Sequence, residues 1–237
     1  MLAKRLRGLA MIIRSIHPFP ARMAPELALA NLVDLPRGRA VLDPMVGSGT
    51  VLRQALALGH QPYGFDIDPL AVLMSSVWTT RTKDAGIELL FNELIADAKK
   101  VKSVVLPWID GDPETKTFVR YWFGDSQRRE LRRLAFVLAQ YSMEARTKNE
   151  RATIDVLRLA LSRIIITKDK GASLGRDISH SRPHKVMESN DYNVFVGYQR
   201  SVETIRKKTG RRTTWRGRRQ SSLGGCSTIA QYPGPFD

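Results

Sequence analysis

The chain is poor in cysteine and has no long apolar run near its start. A single cysteine, Cys226, excludes an intrachain disulfide framework and a cysteine-based zinc site, and it is typical of a reducing cytoplasm. Within the first 13 residues the longest apolar stretch is Leu9–Ile13, too short for a secretory signal or a membrane span. We therefore interpret residues 1–14 as an N-terminal arm and expect a cytoplasmic protein without a membrane anchor.

Acidic residues are also scarce relative to basic ones. The 237 residues include 23 Asp and Glu against 38 Lys and Arg, which gives a net charge of +15. Eight basic residues and one acidic residue follow Glu203, so that part contributes +7 and the residues before it contribute +8. A surplus of this size favours a polyanionic partner, and nucleic acid is the first candidate. It argues against an enzyme that acts only on small molecules.

The chain has a glycine-bearing turn that matches neither of two common phosphate-binding motifs. Residues 43–50 read Asp-Pro-Met-Val-Gly-Ser-Gly-Thr and lie between an apolar run, Arg39–Leu42, and a helical pattern, Val51–Leu58. No lysine follows the second glycine, which excludes a P-loop, and the six-residue dinucleotide spacing is absent. Gly47 and Gly49 permit close approach of a ligand to the backbone. The pattern predicts the first half of a nucleotide-binding βαβ unit.

Carboxylates follow both predicted strands of this unit. Asp43 ends the first strand, where such sheets bind their ligands, and a carboxylate there suits a cationic or amine-bearing ligand. Asp66 ends the second apolar run and is the candidate to hydrogen-bond a ribose diol. Asp68 is a second candidate, but it could instead cap a helix that begins at Pro69.

The remaining chain divides into three further regions. Residues 15–82 form the predicted βαβ half, which includes a helix over Leu27–Leu35. Residues 83–205 are predicted to be mainly helical, with a turn-rich link over 107–124. The predicted helices of that region cover residues 85–106, 126–145 and 151–166. From Arg206 a like-charge block and Gly/Ser/Pro-rich sequence predict a disordered tail over 206–237.

Residues 167–185, hereafter the polar segment, are small, polar and cationic. Side chains of this kind are the usual phosphate donors, although a solvated surface loop has the same composition. His180 and His184 lie four apart, but Pro183 separates them and no third ligand is in view, so we predict no metal. The candidate nucleic-acid contacts are Lys168, Lys170, Ser173, Arg176, Ser181, Arg182, His184 and Lys185.

These motifs resemble those of a known enzyme family. Residues 43–50 look like the first motif of amino-group DNA methyltransferases, which use S-adenosylmethionine to methylate cytosine N4 or adenine N6. Residues 64–69 resemble its second motif, and residues 15–23 resemble the segment that packs over the methionine end of the cofactor. One subgroup of this family has a long insertion, and parts of it are similar to residues 162–167, 171–174 and 179–184.

The resemblance implies a fold, a cofactor and a partner. The fold is α/β, a partial Rossmann-like S-adenosylmethionine methyltransferase sheet with a mainly helical insertion and a disordered C-terminal tail. The partner is DNA, in a restriction-modification setting. The implied cofactor contacts are Phe19, Pro20, Asp43, Pro44, Gly47, Ser48, Gly49, Thr50, Asp66 and Asp68.

The family's catalytic motif is not found, so no catalytic residue is assigned. That motif places Asp, Asn or Ser before two prolines and an aromatic residue. The nearest string, residues 232–237, has Tyr232 in the polar position and Gly234 between the prolines. We therefore expect a truncated or frame-shifted chain with weak or no activity alone. An RNA methyltransferase acting on a tRNA guanine amino group and a non-catalytic nucleic-acid-binding protein remain as alternatives.

Overall fold

The computed structural model describes residues 15–18, 24–165, 167, 170–175 and 185–210. Internal contacts divide these residues into two compact units. The strand unit contains the described residues up to Arg81 and those from Lys208 onward, and the helical unit is Thr82–Lys207. The domain limits drawn from the sequence stay a prediction.

The strand unit contains the expected strand–turn–helix–strand arrangement. Strands β1 and β2 are parallel, with Ala40 opposite Gln61 and Asp43 opposite Gly64. Parallel neighbours need a crossover connection, which is the helix between them. The elements in chain order are α1 (Pro25–Leu32), β1 (Ala40–Asp43), α2 (Thr50–Ala57), β2 (Gln61–Gly64) and α3 (Pro69–Thr79).

Local sequence explains where these helices begin. Helices α1 and α3 each have a proline in the first turn, where the missing N–H would have no intrahelical partner. Asp68 caps α3, because its Oδ1 accepts a hydrogen bond from Leu70 N–H at 2.8 Å. Helix α1 ends at Leu32, three residues before the predicted end at Leu35.

The two-stranded sheet is covered on one face. Leu32, Val41 and Ala55 form a buried cluster, and Val51 and Leu58 pack against it. The neighbouring side chain of β1, Leu42, is 61% exposed, and Phe65 after β2 is 42% exposed. The protein is thus mixed α/β and mostly helical, and only part of a Rossmann-like sheet lies within the described residues.

The helical unit is built around contacts between distant helices. Within it the ring of Phe91 lies 5.4 Å from that of Tyr198, and the Tyr198 hydroxyl donates to the Leu157 carbonyl at 3.1 Å. Both tyrosine contacts are buried. Its helices are α4 (Asp84–Lys100), α5 (Pro107–Asp110), α6 (Pro113–Trp122), α7 (Asp125–Glu144), α8 (Lys148–Arg163) and α9 (Val194–Gly210), the last of which continues past Lys207.

Two predictions about this unit were wrong. The link over 107–124 contains helices α5 and α6, because its prolines start helices and Asp112 caps α6 through Thr115 N–H at 3.0 Å. Helix α9 continues to Gly210, five residues into the predicted tail. The buried residues of α9 recur at helical spacing, so packing stabilises the helix although its C-terminal end is basic. They are Val194, Tyr198, Val202 and Ile205. Residues 211–237 lie outside the described residues.

None of the helices in the described part of the chain combines the length and apolar character that crossing a lipid bilayer requires.

Candidate functional site

The carboxyl ends of β1 and β2 meet at one edge of the sheet. Phe65 N–H donates to the Asp43 carbonyl at 3.0 Å, and Val46 N–H donates to the Phe65 carbonyl at 3.0 Å. These bonds join the turn after β1 to the residues after β2. The two acidic strand ends predicted from the sequence therefore belong to one hydrogen-bonded structure.

Asp66 organises this edge through both oxygens of its carboxylate. Oδ2 accepts from Gly47 N–H at 2.8 Å, and Oδ1 accepts from Asp68 N–H at 2.9 Å. The side chain is partly buried. A carboxylate has about four acceptor positions, so these two bonds leave capacity for further donors such as hydroxyls.

Two glycines give the turn its shape. Gly47 and Gly49 have φ of 48° and 77°, in the left-handed region that side chains disfavour. A Cβ on Gly49 would lie 2.9 Å from Ser75 Oγ and 3.2 Å from Ser75 Cα, so the turn also packs closely on α3. Gly49 caps α2, whose first turn carries no acidic residue. The positive end of that helix therefore lies at the turn.

The other predicted cofactor contacts divide between exposed and structural positions. Asp43 Oδ1 accepts from Met45 N–H at 3.1 Å, and Pro44 is exposed. The hydroxyl oxygens of Ser48 and Thr50 are 3.2 Å apart. Asp68 caps α3, which is the structural alternative considered for it.

The described part of the polar segment is folded onto helix α6. Leu174 N–H donates to the Trp122 carbonyl at 2.8 Å, and Val186 N–H donates to the Leu174 carbonyl at 3.0 Å. Gly175 and Lys185 form an antiparallel bridge. The described part of the segment next to Gly175 is therefore held by backbone pairing.

The predicted phosphate contacts in this segment differ in exposure. Ser173 is 2% exposed, and its hydroxyl donates to the Gly175 carbonyl at 3.1 Å, which argues against a phosphate contact. Lys170 is exposed and lies 3.5 Å from the Asp191 carboxylate. Lys185 pairs with Glu188 at 3.1 Å. The Lys170 pair is exposed on both sides, and such pairs are weak and leave the cation available to a polyanion, whereas the Lys185 side chain is only 24% exposed.

Two amide side chains that the sequence did not single out position the segment. Asn190 Nδ2 donates to the Gly171 carbonyl at 2.7 Å and to the Ser173 carbonyl at 3.1 Å. Gln127 Nε2 in turn donates to the carbonyls of Asn190 and Tyr192, both at 2.9 Å. Gln127 is 4% exposed on a basic helix, and this burial of an amide has no signature in a single sequence.

Several of the predicted site residues lie outside the described residues. They are Phe19, Pro20, Lys168, Arg176, Ser181, Arg182 and His184. Among the residues that are described, no group of three or more His, Cys, Asp or Glu could hold a metal ion.

Two curated proteins are similar to this chain. The type II methyltransferase M.MvaI of Kocuria varians is 36% identical over 83 residues, which are 33% of this chain and 18% of that protein. The type II methyltransferase M.MjaII of Methanocaldococcus jannaschii is 25% identical over 146 residues, which are 60% of this chain and 24% of that protein. The similarity supports the methyltransferase resemblance, but this chain spans less than a quarter of either relative.

No family model matches the chain. No solved structure matches it either.

Proposed function

We propose that this chain is the cofactor-binding part of an S-adenosylmethionine-dependent methyltransferase that acts on an exocyclic amino group of a DNA base. The observation that carries the proposal is the Asp66 carboxylate, which joins the Gly47 turn to the end of β2. A bare turn and a strand-end carboxylate at one sheet edge form the arrangement expected for an adenosine-containing ligand.

The groups present fit this cofactor. Asp66 retains acceptor capacity for the two ribose hydroxyls, and the Gly47–Gly49 turn offers backbone that no Cβ obstructs. Asp43 supplies a carboxylate for the amino group of the methionine portion, and α2 presents its positive end to the carboxylate of the same portion. When bound, S-adenosylmethionine supplies an electrophilic methyl group on a sulfonium. The residues of this chain bind and orient the cofactor.

DNA is the proposed substrate on two grounds. The net charge of +15 favours a polyanion, and +8 of it lies before residue 204. The two similar proteins are type II methyltransferases by name. Exposed Lys170 and the lysine at 185 supply cations beside a folded backbone segment, which suits phosphate contacts that position nucleic acid.

We further propose that the chain contributes only part of the complete enzyme. Parallel sheets are normally covered on both faces, yet Leu42 is 61% exposed on the open face of β1 among the described residues. No residue of this chain is assigned to accept the hydrogens of the target amine. We therefore expect weak or absent methyl transfer by the chain alone.

Calorimetric titration with S-adenosylmethionine tests the cofactor site. Asp66→Asn keeps one acceptor oxygen but loses the second, so affinity should fall roughly tenfold or more. Asp34→Asn is the matched control, because Asp34 is exposed and outside the site. Equal affinity of the Asp66→Asn variant and the unmodified chain would contradict the proposed role.

Two glycine variants distinguish loss of the cofactor site from loss of stability. Gly47→Ala should weaken binding roughly tenfold, since the turn can no longer keep its left-handed conformation without strain. Gly59→Ala introduces the same strain at φ of 82°, where a Cβ meets nothing within 4 Å, and should leave binding intact. If neither variant nor the unmodified chain binds, the proposed function is wrong.

A further inference from the structure

Helix α6 carries aromatic side chains on an exposed face. Phe118 is 58% exposed and Tyr121 is 54% exposed, although large apolar side chains of this kind usually pack in a core. Trp122 is partly buried beside them. Within the described residues no other element covers this face.

The three rings form one cluster rather than separate exposed residues. The Trp122 ring centroid lies 6.0 Å from that of Phe118 and 5.1 Å from that of Tyr121, with the latter pair edge to face. The rings lie on one open face of this helix. The other residues of this face are Pro113, Glu114 and Thr117.

One cation lies beside this cluster. Lys185 Nζ lies 5.8 Å from the Tyr121 ring centroid, within reach of a cation–π interaction, and also pairs with Glu188 at 3.1 Å. The backbone of the polar segment adjoins the end of the helix at Trp122.

We propose that Phe118, Tyr121 and Trp122 form a surface on which unpaired nucleic-acid bases stack. Aromatic faces next to lysine and arginine are the arrangement by which proteins hold single strands, because rings stack on bases while cations contact phosphates. The inference rests on the nucleic-acid part of the proposed function and adds the conformation of the strand that is bound.

Glu114 favours bases that carry an exocyclic amine. Its carboxylate lies on the same face of the helix and repels phosphate, but it can accept a hydrogen bond from such an amine, for example that of cytosine. A single-stranded oligodeoxycytidine is therefore the probe. Its matched control is a phosphodiester of the same length that lacks bases.

The test is fluorescence anisotropy of the labelled oligonucleotides with the full chain. Oligodeoxycytidine should bind more tightly than the abasic strand, and Tyr121→Leu should weaken its binding roughly tenfold while leaving abasic binding unchanged. Tyr121→Phe retains the ring and should bind like the unmodified chain. Leu89→Ala, at a 65% exposed position of the same unit, is the control for loss of an exposed apolar side chain.

Two outcomes would overturn the proposal. One is equal affinity for the base-bearing and abasic strands. The other is an unchanged affinity in both Tyr121→Leu and the second variant, Phe118→Leu, alongside a loss in Lys185→Ala, which would reduce the surface to an electrostatic contact. Circular dichroism confirms that each variant is folded. S-adenosylmethionine titration is independent of these measurements, so failure at the cofactor site and failure of stacking are distinguishable.

Discussion

The two units of this protein position their polar groups in different ways. In the strand unit the turn after β1 is fixed by backbone conformation and by one carboxylate, Asp66, which bonds two backbone N–H groups. In the helical unit the polar segment is fixed by amides from far along the chain, since Gln127 reaches Asn190 across 63 residues. The first device depends on glycine conformation and on a carboxylate 19 residues away, and the second depends on amide side chains, one of which lies 63 residues from its acceptor.

This difference predicts which substitutions should destabilise each unit. A turn built from glycines cannot accept a Cβ, whereas a helical glycine with free space can gain from one. A segment held by amide side chains from outside it should loosen when one of those donors is removed.

Substitution of glycine should have opposite signs in the two units. A Cβ on Gly64 would lie 2.2 Å from Val46 Cγ1 and 2.9 Å from Leu52 Cδ1, so Gly64→Ala should lower the free energy of unfolding by roughly 3 kcal/mol. Gly86 in α4 has nothing within 4 Å of the same position, so Gly86→Ala should raise it by roughly 0.5 kcal/mol. Urea denaturation followed by circular dichroism measures both.

A double variant sharpens the glycine test. Val46→Ala removes the methyl group closest to the new Cβ, so it should recover part of the stability lost in Gly64→Ala. Gly64→Ala as stable as the unmodified chain would show that packing between the turn and β2 is looser than the structure indicates.

Removal of a distant amide should loosen the polar segment. Asn190→Ala leaves the Gly171 and Ser173 carbonyls without their side-chain donor, and we expect a loss of roughly 2 kcal/mol in the free energy of local opening. Hydrogen exchange of the Leu174 and Val186 amides measures it. Asn92→Ala, on an exposed position of α4, should leave both exchange rates unchanged. Unchanged protection in Asn190→Ala would refute the positioning role.

The smallest predicted effect is a pH dependence of the unfolding free energy, which arises in the helical unit. The Arg132 guanidinium, followed by Leu106 N–H, lowers the pKa of Asp110 below its ordinary value of 3.8. The unfolded chain therefore takes up the proton first as pH falls. The stabilisation is fully present above the unfolded pKa and is lost as pH falls through the lower folded pKa.

Comparison with Asp110→Asn isolates this contribution. The variant lacks the ionisable group, so the difference in unfolding free energy between it and the unmodified chain should shrink as pH falls below 3.8. A difference that stays constant with pH would mean that the Arg132 contact does not act through the charge of Asp110.

The strand unit was largely predictable because its signals are local. The apolar run before Asp43, the two glycines and the Asp68-Pro69 pair each restrict the backbone within a few residues. The parallel pairing and the helix between the strands follow from them. The use of the Asp66 carboxylate by Gly47 N–H was not predictable, because it joins residues 19 apart through a particular side-chain conformation.

The helical unit was less predictable for two physical reasons. Pro107 and Pro113 are equally compatible with turns and with the first turn of a helix, and the turn interpretation was wrong. Burial was also misjudged at Ser173, where the composition of the segment indicated a surface hydroxyl and the side chain is 2% exposed.

The sequence alone determined the order of strands and helices around Asp43, because backbone preferences of glycine, proline and capping residues act between near neighbours. It also determined the excess of positive charge, which needs no fold. Only the tertiary structure decided which donors the Asp66 oxygens receive, that Asn190 supports the polar segment, and that the rings of α6 face outward. Those outcomes depend on distances between residues far apart in the chain, and such distances are set by packing.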